Sequence, residues 1–348
     1  IKTNTLKVLL DKAKKSEFSI LTVIQEDPSG YGRIVRDLNK SIQSIIEHKD
    51  ASDIELKIDE INTGIMAIRG RLLKKYLNQI EPNNSQGELY LTDIVEKAVK
   101  DNVNIASLVC EDSSEVMGIN DKNNLAEAER AYQLRQVEDF MTNGLTIKDP
   151  SRFDCRGNLT FGNDCVIDTN VIFEGDNIIG NNVIISSNCT LKNAKISDHA
   201  VILSNTIIED SIIGSQSTIG PFARIRPETN VGDHAKIGNF VEVKKSSIGN
   251  NSKVSHLSYI GDSIVGNDVN IGAGVITCNY DGVNKHQTII EDGVFVGSNT
   301  QIVAPVKIGK NATIGAGSTI TLDVPAEKLT LSRNKQATIS KWKRPQKK

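Results

Sequence analysis

A histidine and several cations share the stretch from residue 224 to residue 285, and together they could carry acid–base chemistry. His256 stands in the segment Lys253–Gly261 (KVSHLSYIG), and Tyr259 follows it three residues later. Imidazole is the side chain that most readily exchanges a proton near neutral pH. The other polar residues of this stretch that break the surrounding pattern are Arg226, Lys244, Lys245, Asn270, Asn279, Tyr280 and Lys285. A histidine among cations predicts a general base that acts on an anionic substrate.

Each of these residues also has an ordinary structural explanation. Lysine and arginine on flat faces usually provide solubility and block pairing between edges. Asparagine at a corner often only forms a left-handed turn, and Cys278 fits a small apolar residue at a loop hinge better than a nucleophile. The loop at residues 277–289 (TCNYDGVNKHQTI) points to function, because long loops in compact folds usually carry it. By themselves, the residues leave both interpretations open.

An aliphatic residue at every sixth position indicates the element that must hold these side chains. In the central stretch these residues are Ile213, Ile219, Ile225, Val231, Ile237 and Val243. Helices repeat every 3.6 residues and strands every 2, so a strict period of six predicts hexapeptide repeats. The register runs from about residue 155 to 323, with four five-residue steps and one interruption at the loop. The predicted fold is a left-handed parallel β-helix, whose coils stack on one column of Ile and Val.

The first 120 residues have a different pattern, in which apolar strands alternate with amphipathic helices. The predicted strands are Ser19–Ile24, Gln43–Glu47, Glu60–Ile68 and Asn104–Val109, and the predicted helices lie around Leu6–Ala13 and at Glu88–Lys100. This alternation is typical of an α/β layer domain. The charged segment Asp121–Thr142 is predicted to be a connecting helix that ends at Asn143–Gly144. We therefore expect an α/β domain over 1–120, a linker helix over 121–144, and a β-helix with a C-terminal tail over 145–348.

Composition argues against several classes of function. The formal net charge is −2, so no global basic field indicates nucleic-acid binding. The chain has no apolar run of the length that spans a membrane, and it shows no signal peptide. Its five cysteines are scattered and lack CxxC pairing, which predicts a reducing, cytoplasmic location. The chain begins at Ile1 in what reads as the interior of a helix, so we expect that a preceding segment is missing.

Several long motifs resemble one known family over nearly the whole chain. They are Gly238–Lys245 (GNFVEVKK), Ser255–Gly261 (SHLSYIG), Asn270–Gly282 (NIGAGVITCNYDG), Tyr31–Ile34 (YGRI), Glu47–Asp50 (EHKD), Glu60–Ile65 (EINTGI), Tyr90–Ile94 (YLTDI) and Gly118–Asn120 (GIN). The family is the bacterial bifunctional enzymes that join a glucosamine-1-phosphate N-acetyltransferase to an N-acetylglucosamine-1-phosphate uridyltransferase. The resemblance implies acetyl transfer from acetyl-CoA to glucosamine-1-phosphate, towards UDP-N-acetylglucosamine for peptidoglycan and lipopolysaccharide. It also implies a homotrimer with sites between neighbouring prisms.

The resemblance assigns roles to residues of the predicted β-helix. His256 matches the catalytic base, which takes a proton from the 2-amino group as that amine attacks the acetyl thioester. Glu242 matches a carboxylate that orients this histidine. The residues that match sugar-phosphate contacts are Arg226, Lys244, Tyr259 and Asn270. Those that match acetyl-CoA contacts are Ala273, Asn279, Tyr280, Ser298, Ala316 and Arg333.

The resemblance also implies a nucleotide-sugar site in the first domain. The residues that match UDP-N-acetylglucosamine contacts are Gly32, Glu47, Asn62 and Asn120. Asn120 also matches one of two Mg²⁺ ligands, but the aspartate that is the other ligand has no counterpart here. The family's Gly-rich phosphate loop, with its Arg and later Lys, is absent from this sequence as well. Such loops cradle a triphosphate, so we expect the coupling of UTP only in a full-length parent.

Three other functions compete with acetyl transfer to glucosamine-1-phosphate. Another hexapeptide acyltransferase, acting on serine or an antibiotic, predicts no YGRI, EINTGI or GIN segments. A zinc enzyme of the carbonic anhydrase type needs three converging histidines. The five histidines of the chain, which lack that local spacing in the prism, are His48, His199, His234, His256 and His286. A non-catalytic, trimeric sugar-nucleotide-binding remnant predicts ligand-induced thermal stabilisation without turnover.

Overall fold

A computed structural model describes residues 1–344, and the chain divides into two compact units. The first unit covers residues 1–132 and the second begins at Gln133. The boundary falls inside helix Lys122–Thr142. The last four residues of the predicted C-terminal tail lie outside the described residues. Among the described residues, no helix is both long enough and apolar enough to cross a membrane.

The first unit is built on a five-stranded mixed sheet. Its strands are β1 (Phe18–Ile24), β2 (Arg33–Arg36), β3 (Ile42–Ile46), β4 (Glu60–Ile68) and β5 (Ile105–Cys110), in the order β3-β2-β4-β1-β5. Its helices are α1 (Thr3–Ser16), α2 (Gly70–Leu77) and α3 (Asp93–Lys100), with 3₁₀ turns at Glu55–Lys57 and Ser113–Glu115. The central strand β1 is parallel to β5 and antiparallel to β4. Phe18, Ile20, Ile34 and Ile94 are buried in its core. The α/β prediction is confirmed, although β2 and α2 were not predicted.

The second unit is a left-handed parallel β-helix with three faces, which confirms the predicted fold class. The first face contains Thr146–Ile147, Val166–Ile167, Ile184–Ile185, Val201–Ile202, Thr218–Ile219, Lys236–Asn239, Lys253–His256, Asn270–Ile271, Phe295–Val296, Thr313–Ile314 and Leu329–Thr330. The second contains Thr190–Lys192, Ile207–Glu209, Arg224–Ile225, Glu242–Lys244, Tyr259–Gly261, Ile276–Cys278, Gln301–Val303 and Thr319–Ile320. The third contains Lys195–Ile196, Ser211–Ile213, Thr229–Val231, Ser247–Ile248, Ser263–Val265, Thr288–Ile290 and Val306–Ile308. Two longer strands, Phe153–Phe161 and Val171–Ile179, supply the first coils of the second and third faces, after a 3₁₀ turn at Pro150–Arg152.

The aliphatic residues of the six-residue register form the interior of the prism. Ile219, Ile225, Ile237 and Val243 are all fully buried in one continuous apolar cluster. Each five-residue step turns its corner with one non-glycine residue in the left-handed conformation. These residues are Asn193 (φ 48°), Asp210 (φ 42°), Lys245 (φ 45°) and Asp262 (φ 48°). Left-handed residues also turn six-residue corners, for example Gln216 (φ 57°) and His234 (φ 55°), so this conformation is common to both corner lengths.

Candidate functional site

Five predicted residues line one edge of the prism, where the first face turns towards the second. This edge column consists of His256, Ala273, Ser298, Ala316 and Arg333. The parallel register of the first face stacks its first four members on successive coils. Backbone hydrogen bonds join the coils there, from Gly274 N to His256 O (3.2 Å), from Asn299 N to Ala273 O (2.7 Å) and from Gly317 N to Ser298 O (2.9 Å). Arg333 Nη1 donates to the carbonyl of Ala316 at 3.0 Å. Small side chains leave room along this edge for a narrow ligand.

His256 is held by the coil that precedes it. Its Nδ1 lies 2.6 Å from Oδ1 of Asn239, which is its register partner on the first face. Since Oδ1 is an acceptor, Nδ1 carries the proton and Nε2 is left with the lone pair. The side chain of His256 is exposed. The arrangement suits a base that takes a proton through Nε2.

Glu242 lies elsewhere than the sequence analysis predicted. Its Oε1 accepts a hydrogen bond from Nη1 of Arg226 at 2.8 Å, and the two side chains form a half-exposed ion pair. Glu242 raises the pKa of Arg226 through this hydrogen bond. Within the described chain, Asn239 is therefore the hydrogen-bond partner of His256, and Glu242 belongs with the predicted phosphate contact Arg226.

The second face gathers Tyr259 and the beginning of the loop. Asn279 is buried, and its Nδ2 lies 3.5 Å from Oη of Tyr259 and 2.5 Å from Oδ2 of Asp262. A Cβ at Gly261 would lie 2.4 Å from Oη of Tyr259, so only glycine leaves the space that this phenol occupies. Tyr259 and Asn279, which were assigned to different substrates, therefore lie side by side.

Two lysines face each other beside this pair. The ammonium of Lys244 lowers the pKa of Lys285, whereas Asp262 and Tyr259 act in the opposite direction. Within residues 1–344, neither lysine has a carboxylate at ion-pair distance. Like charges this close favour a bound anion between them. Together with Arg226, they make the second face a candidate phosphate site.

Asn270 lies apart from these residues. It aligns with Lys253 and Phe295 on the first face, and Lys253 begins the strand that ends at His256. The strand length therefore separates Asn270 from His256 within one chain. Tyr280 is exposed on the loop, beyond Asn279.

A stripe of apolar side chains follows the same edge on three successive coils. Phe222, Phe240 and Leu257 are 49%, 56% and 63% exposed. Each adopts the left-handed conformation, with φ of 56°, 56° and 50°, which costs a bulky residue about 1 kcal/mol. The rings of Phe222 and Phe240 stack with centroids 5.3 Å apart. We call these three residues the apolar stripe; it ends beside His256.

Two family models match parts of the β-helix. The GMPPB C-terminal domain matches residues 155–229, and the bacterial transferase hexapeptide (six repeats) matches residues 287–321. The latter confirms the repeat on which the fold prediction was based.

Curated relatives match the whole chain. The bifunctional protein GlmU of Ruthia magnifica subsp. Calyptogena magnifica is 58% identical over 348 residues, which are 100% of this chain and 77% of that relative. This chain belongs to the GlmU family of bifunctional proteins. The family members from Francisella tularensis subsp. novicida and Methylococcus capsulatus are 55% and 50% identical, and each match covers 100% of this chain and 76% of the relative. The resemblance on which the sequence analysis relied is thereby confirmed.

Solved structures give a weaker match. A UDP-N-acetylglucosamine acyltransferase from Campylobacter jejuni is 22% identical, with a TM-score of 0.35, over 53% of this chain and 69% of its own. The fold described above rests on the strand register of this chain instead.

Three of the four residues that the GlmU resemblance places in a nucleotide-sugar site come together in the first unit. The backbone N–H of Asn62 donates to the carbonyl of Gly32 at 2.8 Å. A Cβ at Gly32 would lie 3.3 Å from Oε2 of Glu47, whose other oxygen accepts from Oγ1 of Thr92 at 2.9 Å. Gly32 is buried, and Glu47 and Asn62 are half-buried.

Asn120 is exposed, and its backbone N–H donates to Oδ1 of Asn124 at 3.3 Å. It offers a metal one carbonyl oxygen. Within residues 1–344, no group of three or more His, Cys, Asp or Glu side chains could hold a metal ion. Magnesium is usually held by one or two carboxylates together with waters and substrate phosphates. The amide oxygen of Asn120 by itself does not hold the ion.

Sequence reasoning missed Asn239 and did not pair Lys285 with Lys244. Asn239 precedes His256 by 17 residues, which is one coil containing a five-residue step. Counting back one coil from the histidine is therefore the signal that could have found it. Lys285 was singled out only as a polar residue of the loop, because nothing in the sequence shows where a loop folds back.

Proposed function

We propose that the β-helix of this chain transfers the acetyl group of acetyl-CoA to the amine of glucosamine-1-phosphate, giving N-acetylglucosamine-1-phosphate. The observation that carries the proposal is the fixed imidazole of His256 at the head of the edge column. Its hydrogen bond to Asn239 selects the tautomer whose Nε2 can accept a proton. Membership of the GlmU family supports the same reaction.

The reaction needs one proton acceptor and a fixed geometry. The 2-ammonium group of the sugar has no lone pair, so it first loses one proton to solvent, and His256 Nε2 takes a second proton as the neutral amine attacks the thioester carbonyl. The C–N bond forms, the C–S bond breaks, and the sulfur leaves as the thiolate of CoA, which takes up the proton that His256 accepted. Holding amine and thioester in one pocket supplies much of the rate. No covalent enzyme intermediate is required.

The phosphate of the sugar binds to the cations of the second face. Arg226, Lys244 and Lys285 present guanidinium and ammonium donors, which bind a phosphate dianion strongly. Binding of the dianion relieves the repulsion between Lys244 and Lys285. Tyr259 contacts the sugar ring from the same face.

Acetyl-CoA lies along the edge column. Ala273, Ser298 and Ala316 leave space for the pantetheine arm, and Arg333 reaches a phosphate of the coenzyme. Asn279 and Tyr280 contact the coenzyme from the loop. The side-by-side placement of Asn279 and Tyr259 supports a shared pocket for both substrates.

The active enzyme is a homotrimer with a site between neighbouring prisms. The apolar stripe supports this assembly, because Phe222, Phe240 and Leu257 expose about half of their surface in a strained conformation. Burial against a second copy returns about 25 cal/mol for each Å² removed from water. Within one chain, the length of the strand separates Asn270 from His256. In the trimer, Asn270 of one copy would lie beside His256 of a neighbouring copy.

In the first unit, Gly32, Glu47 and Asn62 contact UDP-N-acetylglucosamine. The coupling of UTP to N-acetylglucosamine-1-phosphate would use a Mg²⁺ bound partly by Asn120. A cytoplasmic location agrees with five free cysteines, of which four are buried.

The test is a paired assay on this chain. Free thiol is followed from acetyl-CoA with glucosamine-1-phosphate, and pyrophosphate is followed from UTP with N-acetylglucosamine-1-phosphate and Mg²⁺. We expect thiol release and no pyrophosphate.

Each other outcome overturns part of the proposal. Pyrophosphate formation would show that the described residues of the first unit are sufficient for uridylyl transfer. Absence of thiol at concentrations where the protein is trimeric would reject acetyl transfer. Thermal stabilisation by UDP-N-acetylglucosamine without any turnover would favour a binding remnant.

A further inference from the structure

The loop that leaves the prism between Cys278 and Thr288 folds into a small hairpin. Tyr280 and Lys285 form an isolated antiparallel bridge, and the backbone N–H of His286 donates to the carbonyl of Asn279 at 2.8 Å. Inside the turn, the N–H of Asp281 donates to the carbonyl of Asn284 at 3.1 Å. We call residues 280–286 the lysine hairpin, because Lys285 is the side chain that it presents to the second face.

One carboxylate holds this hairpin from both sides. Oδ1 of Asp281 accepts from the backbone N–H of Val283 at 2.8 Å and of Asn284 at 2.7 Å. Oδ2 of Asp281 lies 2.6 Å from Nε2 of His286. The first oxygen closes the tip of the hairpin, and the second ties the tip to its base. Hydrogen bonds from Asn284, His286 and Val283 hold the pKa of Asp281 well below its usual range.

The hairpin works against an electrostatic cost. Its base lies beside Lys244, because Asn279 is bonded to Asp262 and the backbone N–H of Asp262 donates to the carbonyl of Lys244 at 3.0 Å. The hairpin thereby brings Lys285 to Lys244, and the two ammonium groups repel each other. An exposed loop of this length would otherwise turn Lys285 out into water. The hydrogen bond from Asn279 to Asp262 on the prism fixes only the base of the hairpin, so it does not keep Lys285 from turning into water.

We propose that Asp281 is a positioning residue for acetyl transfer, which closes the lysine hairpin and so keeps Lys285 opposite Lys244 as a preformed clamp for the phosphate of the sugar. His286 is the second attachment point of the clamp. The inference rests on the proposed function, since it names how the phosphate site of that reaction is kept assembled. Preorganisation lowers the ordering cost of binding, so Asp281 acts on affinity for the sugar phosphate without touching it.

The test compares three variants with the unchanged chain. Asp281→Ala removes all three hydrogen bonds, whereas Asp281→Asn keeps an oxygen for Val283 and Asn284 but loses the charge that attracts His286. The matched control is Asp149→Ala, because Asp149 is a half-buried carboxylate that likewise accepts from three donors, namely Ser151 N, Ser151 Oγ and Arg152 Nε, at the start of the prism.

We expect Asp281→Ala to raise the KM for glucosamine-1-phosphate about tenfold and the inhibition constant of inorganic phosphate by the same factor. The value of kcat stays within about twofold, and the KM for acetyl-CoA changes less than that for the sugar. Asp281→Asn gives a smaller rise of about threefold, and the control leaves all constants unchanged.

A double-mutant cycle with Lys285→Met separates positioning from a general effect on the fold. If Asp281 acts through Lys285, Asp281→Ala adds nothing further to the KM of the Lys285→Met protein. Additive effects would overturn the inference, as would a loss confined to kcat. Thiol release by the unchanged chain together with an unaltered Asp281→Ala enzyme would reject the clamp but leave the proposed reaction standing. If the unchanged chain releases no thiol, phosphate binding measured by calorimetry on both proteins still decides the clamp.

Discussion

The two candidate sites of this chain are assembled in different ways. Along the edge column, every member comes from the next coil, so one hydrogen-bond register places His256, Ala273, Ser298 and Ala316 together. In the first unit, Gly32 precedes β2, Glu47 follows β3 and Asn62 lies within β4, and contacts between segments far apart in sequence bring them together. A repeat therefore builds a site from local spacing, whereas a mixed sheet builds one from non-local pairing.

Removal of the catalytic base should have the largest effect on acetyl transfer. This effect should arise in the β-helix alone. We expect His256→Ala to lower turnover by roughly 10²–10⁴-fold, because proton removal from the amine is lost, with little change in CoA binding. His234→Asn is the control, since His234 occupies an exposed left-handed corner that asparagine also adopts. Steady-state kinetics and CoA titration measure both quantities, and an unchanged rate removes His256 from the mechanism.

A cavity made in the first unit tests whether the activity of the β-helix depends on the stability of that unit. Ile94 is fully buried there, so Ile94→Ala should cost that unit about 2–5 kcal/mol of its free energy of unfolding. We expect thiol release to stay within about twofold, because the edge column draws nothing from this core. The matched change Ile225→Ala, inside the prism, should reduce both stability and activity. Calorimetry with parallel thiol assays checks this, and a large loss of activity in Ile94→Ala would contradict the contrast between the two sites.

The ion pair between Arg226 and Glu242 allows the phosphate contact on the second face to be tested. Arg226→Ala leaves the carboxylate of Glu242 without its partner, and that charge then repels the phosphate dianion. We expect the KM for glucosamine-1-phosphate to rise about 10–100-fold, and Glu242→Gln in the same chain to restore part of it. A defect in the KM for acetyl-CoA alone would show that Arg226 has been assigned to the wrong substrate.

The hydrogen bond between Asn239 and His256, which lie on neighbouring coils, can be tested by substitution of Asn239. Asn239→Ala removes the acceptor that orients His256, and we expect kcat to fall about tenfold with KM unchanged. Asn239→Asp keeps an acceptor but adds a negative charge, which favours the protonated imidazole. The acid limb of the kcat profile should then move to higher pH. A profile that does not move would mean that the two side chains separate in the working enzyme.

The smallest expected effect concerns pH. The pKa of Lys285 is lowered from 10.5 by Lys244, so Lys285 loses its charge at a lower pH than an isolated lysine. The inhibition constant of inorganic phosphate should therefore rise in the alkaline range below pH 10.5. In Lys285→Arg the guanidinium stays charged, and the constant should stay flat over that window. A rise of equal size in both proteins would assign the effect to another group.

Periodicity allowed most of the β-helix to be predicted from the sequence, including its four five-residue steps. The roles of the residues in the edge column came from the family resemblance. Strand β2 (RIVR) was missed because its strand character comes from pairing with β3 and β4 rather than from its own composition. The contact between Lys244 and Lys285 could not be predicted, because the register stops at Cys278 and resumes at Thr288.

The stacking of coils also fixes the spacing of the side chains along the edge column. Three coil steps separate His256 from Ala316, which at ~4.8 Å per step is about 14 Å, and Arg333 is bonded just beyond. The distance between His256 and Arg333 can therefore change only in whole coils. If acetyl-CoA binds along the edge column as we propose, deletion of one complete coil should favour a shorter acyl carrier and leave the surroundings of His256 unchanged.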